Sequence, residues 1–347
     1  MVVWEFHNYQ LVAEPLPVTQ RTEATSQPGM SHRVVEQHTL PEWIGNELIG
    51  LAKEPFKRDV CQKEEWQRNP HGDLPDCHGC ALHSSCLFGQ LFEPQQAMRP
   101  FALCPAFPVT PEFRLGGSPL PVDAVLVGDR RDAWEALLKS LNQAGTADAS
   151  EPVNRSVRNR RRATASQRGL GPKNARIPVQ LRPGPNFETR MSRLTVASLP
   201  IPQVQHIGVV PSLRVELLSP LRLTRHAGDV HELITEPECF DLVSACIRVI
   251  RGLAERCGET EPLKKYDEER LLDAARQVPV VSQEVLIFQQ KVQGNRGSNR
   301  YSFEGLRGSL TFADVPVELL PWLVWGGRLC VGDRRAYGAG RWQLRLD

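Results

Sequence analysis

Apolar positions in this chain come in short blocks, and the blocks follow an order that occurs twice. Residues 2–14 mix alternating and continuous apolar positions, as a buried strand does. Thr39-Leu40-Pro41-Glu42 fits a capping box with proline in the first turn. A first helix is therefore predicted from near Thr39, with Ile44, Leu48 and Leu51 on one apolar face. Strands are predicted at Pro100–Phe107 and Val122–Gly128, a helix over Arg131–Leu141, and extended segments at Ala175–Leu181 and Arg193–Leu199. Insertions aside, the order is βαββαβ.

The second half predicts the same plan. A strand runs over Leu213–Leu223, where Pro220 fits only an edge or a bend. A long helix over Phe240–Cys257 carries Phe240, Val243, Ile247, Ile250 and Ala254 on one stripe. Leu242, Cys246, Val249 and Leu253 form the adjacent stripe, so the helix has a broad face for a sheet. Strands at Val285–Val292 and Phe303–Phe312, a helix at Val317–Trp325 and a final strand at Arg341–Leu346 complete it. The predicted fold class is α+β, with two tandem ferredoxin-like domains. They span residues 1–205 and 206–347, with the boundary in the proline-rich stretch from Pro200 to Pro211.

Composition narrows the function classes. The chain has 347 residues, enough for two cores. No apolar run approaches the ~18 residues of a membrane span, and Met1–His7 lacks the regions of a signal peptide, so a cytoplasmic protein without a membrane partner is expected. Net charge is only +2, but residues 151–194 hold eleven Lys or Arg against two Glu. That local +9 attracts a polyanion through counterion release, and the excess of Arg over Lys favours bidentate phosphate contacts. A solvated basic loop is the plain alternative, and the two are compatible, because arginine-rich segments order on RNA.

Nine cysteines, an odd number without a secretion signal, point to thiols or thiolate ligands rather than a disulfide framework. Within an insertion at 61–94, Cys77-x2-Cys80-x5-Cys86 with Cys61 upstream can place four sulfurs around one zinc; such a closed site would be structural. His71, His78 or His83 could replace Cys61, and three reduced thiols in a loop are the alternative reading. Cys104, Cys239, Cys246, Cys257 and Cys330 sit in apolar contexts and read as core thiols.

The last segment, Gly332-Asp333-Arg334-Arg335-Ala336-Tyr337-Gly338-Ala339-Gly340-Arg341-Trp342, joins glycines to arginines before the terminal strand. Glycine leaves room for a phosphate to approach backbone amides. This segment, together with Cys77–Pro94, Leu221-Arg222-Leu223 and Gly305-Leu306-Arg307-Gly308, resembles the CRISPR precursor-RNA-processing endoribonucleases, the Cas6 family of the RAMP superfamily. The resemblance covers most of the chain and implies a RAMP or RRM-like two-domain fold in a prokaryotic cytoplasm. It also implies an enzyme that binds the repeat stem-loop of a CRISPR transcript, cuts it through 2′-hydroxyl attack without a catalytic metal, and retains the crRNA product. A catalytically inactive RAMP subunit holding guide RNA among other Cas subunits is the alternative.

Metal-free cleavage needs a base for the 2′-hydroxyl, an acid for the leaving oxygen and cations beside the phosphorane. The resemblance implies a catalytic histidine in or beside the first helix. Leu40–Lys53 contains none, which leaves His38 and His32 as the nearest candidates. Expected RNA contacts are Arg155, Arg158, Arg160, Arg161, Arg162, Arg168 and Lys173, then Lys291, Arg296 and Arg300. Gly332, Arg334, Arg335, Gly338, Gly340 and Arg341 complete them. Tyr337 and Trp342 could stack on a base or pack in the core.

Overall fold

The computed structural model describes residues 4–15, 43–61, 77, 80–82, 85–92, 98–108, 120–128, 132–137, 139, 179–183, 190–194, 208–227, 230–256, 264–293 and 300–346. The first sheet is antiparallel, with β1 (Trp4–Pro15) near its centre. β3 (Leu120–Val127) pairs with β1 from Phe6↔Val127 to Ala13↔Leu120, and β2 (Phe101–Pro105) lies outside β3. On its other side, β1 pairs with β4 (Val179–Pro183) through Leu11–Pro15 and with β5 (Arg190–Leu194) through Trp4–Asn8.

β2 and β3 are buried on both faces, and this decides how the halves meet. Phe101 and Leu103, with Leu120, Val122, Ala124 and Leu126, pack beneath α1 (Gly45–Val60), α2 (Leu87–Phe92) and the helical stretch 132–137. Phe56, Phe88, Phe92 and Phe101 form a continuous ring cluster there. Each such ring removed from water stabilises the fold by about 1.5–3 kcal/mol. The opposite faces, carrying Ala102, Cys104, Val125 and Val127, join the core of the second half. The alternation of strand side chains therefore feeds two cores from the same two strands.

The second sheet has the order β11-β6-β10-β9 and is antiparallel throughout. Its strands are β6 (Val209–Leu217), β9 (Val280–Gln293), β10 (Arg300–Pro316) and β11 (Trp342–Leu346). A separate hairpin, β7 (Thr224–Ala227) with β8 (Val230–Leu233), follows β6. Covering the sheet are α3 (Cys239–Arg256), whose two apolar stripes are buried except for the partly buried Phe240, α4 (Lys265–Arg276) and α5 (Leu320–Leu329). Gly326 and Gly327 of α5 receive Trp342: a Cβ on Gly327 would stand 2.4 Å from the Trp342 carbonyl oxygen. Trp342 is buried and its indole donates to the Leu323 carbonyl at 2.8 Å, so it is a core residue and not a stacking platform.

Three expectations change. The first helix starts at Gly45, not near Thr39, because the Gln290 side chain holds Trp43 outside the helix. That amide accepts from the Trp43 backbone at 3.1 Å and donates to its carbonyl at 2.7 Å. The Thr39–Glu42 box itself lies outside the described residues. The strand expected over Leu213–Leu223 ends at Leu217; beyond it Leu221 exchanges backbone bonds with Leu306 at 2.8 and 2.7 Å. Proline at 220 cannot donate to a ladder, which accounts for the break. The hairpin β7/β8 and helix α4 were not anticipated. Among the described residues no helix is long and apolar enough to cross a membrane.

Candidate nucleic-acid interface

The chain leaves α5 through a run of left-handed backbone. Cys330, Gly332, Arg334, Gly338 and Gly340 all have φ between 59° and 95°. Glycine is required at 338 and 340 by the protein itself. A Cβ at Gly340 would lie 1.7 Å from the Val331 carbonyl oxygen, and one at Gly338 would lie 2.2 Å from that of Leu103. At Gly332 the obstacle is the Arg222 carbonyl, at 2.3 Å. The space expected for a phosphate on the Cβ side of these glycines is thus filled by neighbouring backbone.

Two of the arginines are likewise committed internally. Arg335 is 5% exposed and ties off the end of α5. Its Nε donates to the Leu329 and Cys330 carbonyls, each at 3.2 Å, one terminal nitrogen donates to Leu329 at 3.0 Å, and the other reaches the Arg99 carbonyl. The Leu329 and Cys330 carbonyls are among those a helix leaves unpaired at its C-terminus, so Arg335 is a cap and not a phosphate contact. Burial lowers its pKa. Arg341 forms an ion pair with Asp123 of β3, joining the two sheets, and its charge is balanced before any ligand arrives.

Arg334 faces the other way. It is exposed, with its guanidinium 5.6 Å from the centre of the Tyr337 ring. Arg99, just before β2, lies 5.4 Å from the same centre. Burial by itself would raise the Tyr337 phenol, but Arg99, Arg334 and Lys53 outweigh it and hold the phenol below its ordinary value. Lys53 and Lys57, one turn apart on α1, stand 5.6 and 5.0 Å from the Phe88 ring. Lys53, Arg99 and Arg334, from three segments, thus act on the half-buried Tyr337, and Lys57 joins Lys53 beside Phe88. A Cβ on Gly45, at the start of α1, would be 1.8 Å from the Tyr337 carbonyl oxygen, so the loop and the helix are in direct contact.

This grouping was not found from the sequence. Lys53 and Lys57 are at i and i+4 on the first helix, a visible signal, but their convergence with Arg99 and Arg334 depends on the packing of the halves. Of the other candidates, Lys291 lies on β9 and Arg300 opens β10, at the same end of that hairpin. His32, His38, Arg155, Arg158, Arg160, Arg161, Arg162, Arg168, Lys173 and Arg296 lie outside the described residues. The Cys80 backbone donates to the Cys77 carbonyl at 3.2 Å, and Cys86 precedes α2. Among the described residues, which include Cys61, Cys77, Cys80 and Cys86, no group of three or more His, Cys, Asp or Glu is arranged to hold a metal ion.

A family model described as AF_1859_N, N-terminal domain, matches residues 27–171. No curated protein matches the chain. Among solved structures, a Cas6 product complex is 14% identical and aligns over 99% of this chain and 100% of that one, with a TM-score of 0.51. Cas6 of Thermus thermophilus is 11% identical over 99% and 100% of the two chains, at a TM-score of 0.46. A structure titled as an RAMP protein binding different RNA substrates is 11% identical over 98% and 99%, at 0.42. The mixed α/β architecture, its antiparallel sheets and an alignment spanning both chains give this protein a Cas6-like fold.

Proposed function

We propose that this protein binds the repeat of CRISPR precursor RNA and cuts it as a metal-independent endoribonuclease, keeping its crRNA product. The observation that carries this reading is the convergence of Lys53, Arg99 and Arg334 on Tyr337, with Lys57 beside Phe88 one turn along the same helix, in a chain with a Cas6-like fold. These cations suit a phosphodiester whose negative charge grows in the transition state. Tyr337 adds an aromatic edge for a base. In this reading His38 or His32 takes the proton from the 2′-hydroxyl and returns one to the leaving oxygen. The basic segment 151–194, with Lys291, Arg296 and Arg300, follows the duplex backbone.

The same reading divides the chain into two ferredoxin-like domains, 1–205 and 206–347. The strand order β2-β3-β1-β4 in the first sheet and β9-β10-β6-β11 in the second supports that division. Structural zinc at Cys61, Cys77, Cys80 and Cys86 is retained as a proposal on spacing alone; zinc content per chain, measured on dialysed protein, decides it. Other Cas subunits are the proposed partners, in a prokaryotic cytoplasm. The test is single-turnover cleavage of a labelled repeat RNA in excess EDTA, beside the same RNA with a 2′-deoxy sugar at the mapped cut. Cleavage that survives EDTA and fails on the deoxy strand is expected. Binding without cleavage would instead identify a guide-holding RAMP subunit.

A further inference from the structure

Cys104 of β2 and Cys330 at the end of α5 are 226 positions apart in sequence, yet their sulfurs lie 3.1 Å apart. Both side chains are buried, and each belongs to a different half of the molecule. The contact is no accident of a loose loop. Cys330 is held at φ 59°, its carbonyl accepting from Arg335, and Cys104 is fixed in the β2–β3 ladder opposite Asp123. Gly338 presses on the Cys104 backbone, where a Cβ would come within 2.7 Å of the Cys104 Cα. The two sulfurs therefore stand at the two walls of the glycine and arginine loop.

The chemistry of the pair differs from that of the other buried thiols. The hydrogen bond with Cys104 lowers the Cys330 thiol against the effect of burial, and the charges of Arg335 and Arg341 act in the same sense. Cys104 moves the opposite way, raised by the same bond and by burial. Cys239 is pushed up to about 12 by burial, and burial also raises Cys246. One member of the pair is thus favoured as the thiolate nucleophile, with a thiol already in contact to resolve it.

We propose that Cys104 and Cys330 are an oxidisable staple that joins the two halves and fixes the loop against β2. With a peroxide as oxidant, the Cys330 thiolate attacks one peroxide oxygen; the O–O bond breaks, and the departing hydroxide takes up a proton to leave as water. The resulting sulfenic acid is attacked by Cys104 sulfur, which loses its proton; the S–O bond breaks, the S–S bond forms, and a second water leaves. Two thiols are oxidised by two electrons in total, and one peroxide is reduced to two waters. Closing the link requires the sulfurs to move about 1 Å closer to reach disulfide length. This inference stands independently of the RNA reading.

The experiment oxidises the reduced full chain with hydrogen peroxide, blocks remaining thiols, and maps peptides without reductant. The expected result is a linked peptide pair containing Cys104 and Cys330 and a Tm raised by about 5 °C. Dithiothreitol should reverse both. Cys330→Ala and Cys104→Ala should lose the link and the Tm rise, while Cys246→Ala keeps them. If either pair variant fails to fold, the mapping and its reversal on the unmodified chain still decide the matter. Recovery of both cysteines unlinked after oxidation, or a link without a rise in Tm, would overturn the proposal.

Discussion

Arg334 and Arg335 are neighbours in sequence with opposite environments. Arg335 is buried and its nitrogens are spent on the carbonyls of Leu329, Cys330 and Arg99. Arg334 is exposed beside Tyr337, where Arg99 and Lys53 also contribute positive charge. The difference comes from a single left-handed residue, Arg334 itself, which precedes the 3-10 turn that Arg335 opens, so that the two side chains leave to solvent and to the core. An arginine count cannot separate a cap from a ligand contact. The question is which carbonyls the fold has left without a donor.

Substitutions should sharpen that contrast. Arg335→Met is expected to cost about 3–5 kcal/mol of stability, because several buried carbonyls lose their donor, whereas Arg334→Met should stay within about 0.5 kcal/mol. Urea unfolding of the two variants compares them directly; equal losses would break the distinction. Asp123→Asn is expected to cost about 1–2 kcal/mol, since it leaves the partly exposed Arg341 without its counter-charge, and the same unfolding series reads it.

For RNA the order reverses. Arg99→Ala with Arg334→Ala should weaken repeat-RNA binding about tenfold or more and reduce the salt slope by about 2, with little change in melting temperature. The smallest effect is on pH. The folded phenol of Tyr337 lies below its ordinary value, so its ionisation adds stability as pH rises toward the unfolded value, and that increment disappears as pH falls through the folded value. The unmodified protein should therefore gain stability relative to Tyr337→Phe as pH rises toward about 10, the ordinary tyrosine value, measured by denaturant midpoint.

Periodicity made much of the fold legible. The stripes of α3 and the apolar blocks of β3 and β10 follow from burial on one or both faces, which leaves a direct mark on sequence. What escaped depends on distant partners. Gln290 sets where α1 begins, and nothing near Thr39 records it. The roles of Gly338 and Gly340 depend on the carbonyls of Leu103 and Val331, so a glycine motif read alone suggested a ligand where the obstacle is backbone. Lys53, Lys57, Arg99 and Arg334 carry no common local pattern, because three separate segments supply them.

The most direct test of the account is binding of a labelled CRISPR repeat RNA across a salt series by the unmodified chain and the Arg99→Ala, Arg334→Ala double variant. Arg276→Ala, on α4 beside Asp273, serves as the control for lost surface charge. The account predicts that the double variant loses affinity and salt slope while the control keeps both. Unchanged binding in the double variant, or an equal loss in the control, would contradict the assignment of the Tyr337 cluster as the RNA contact.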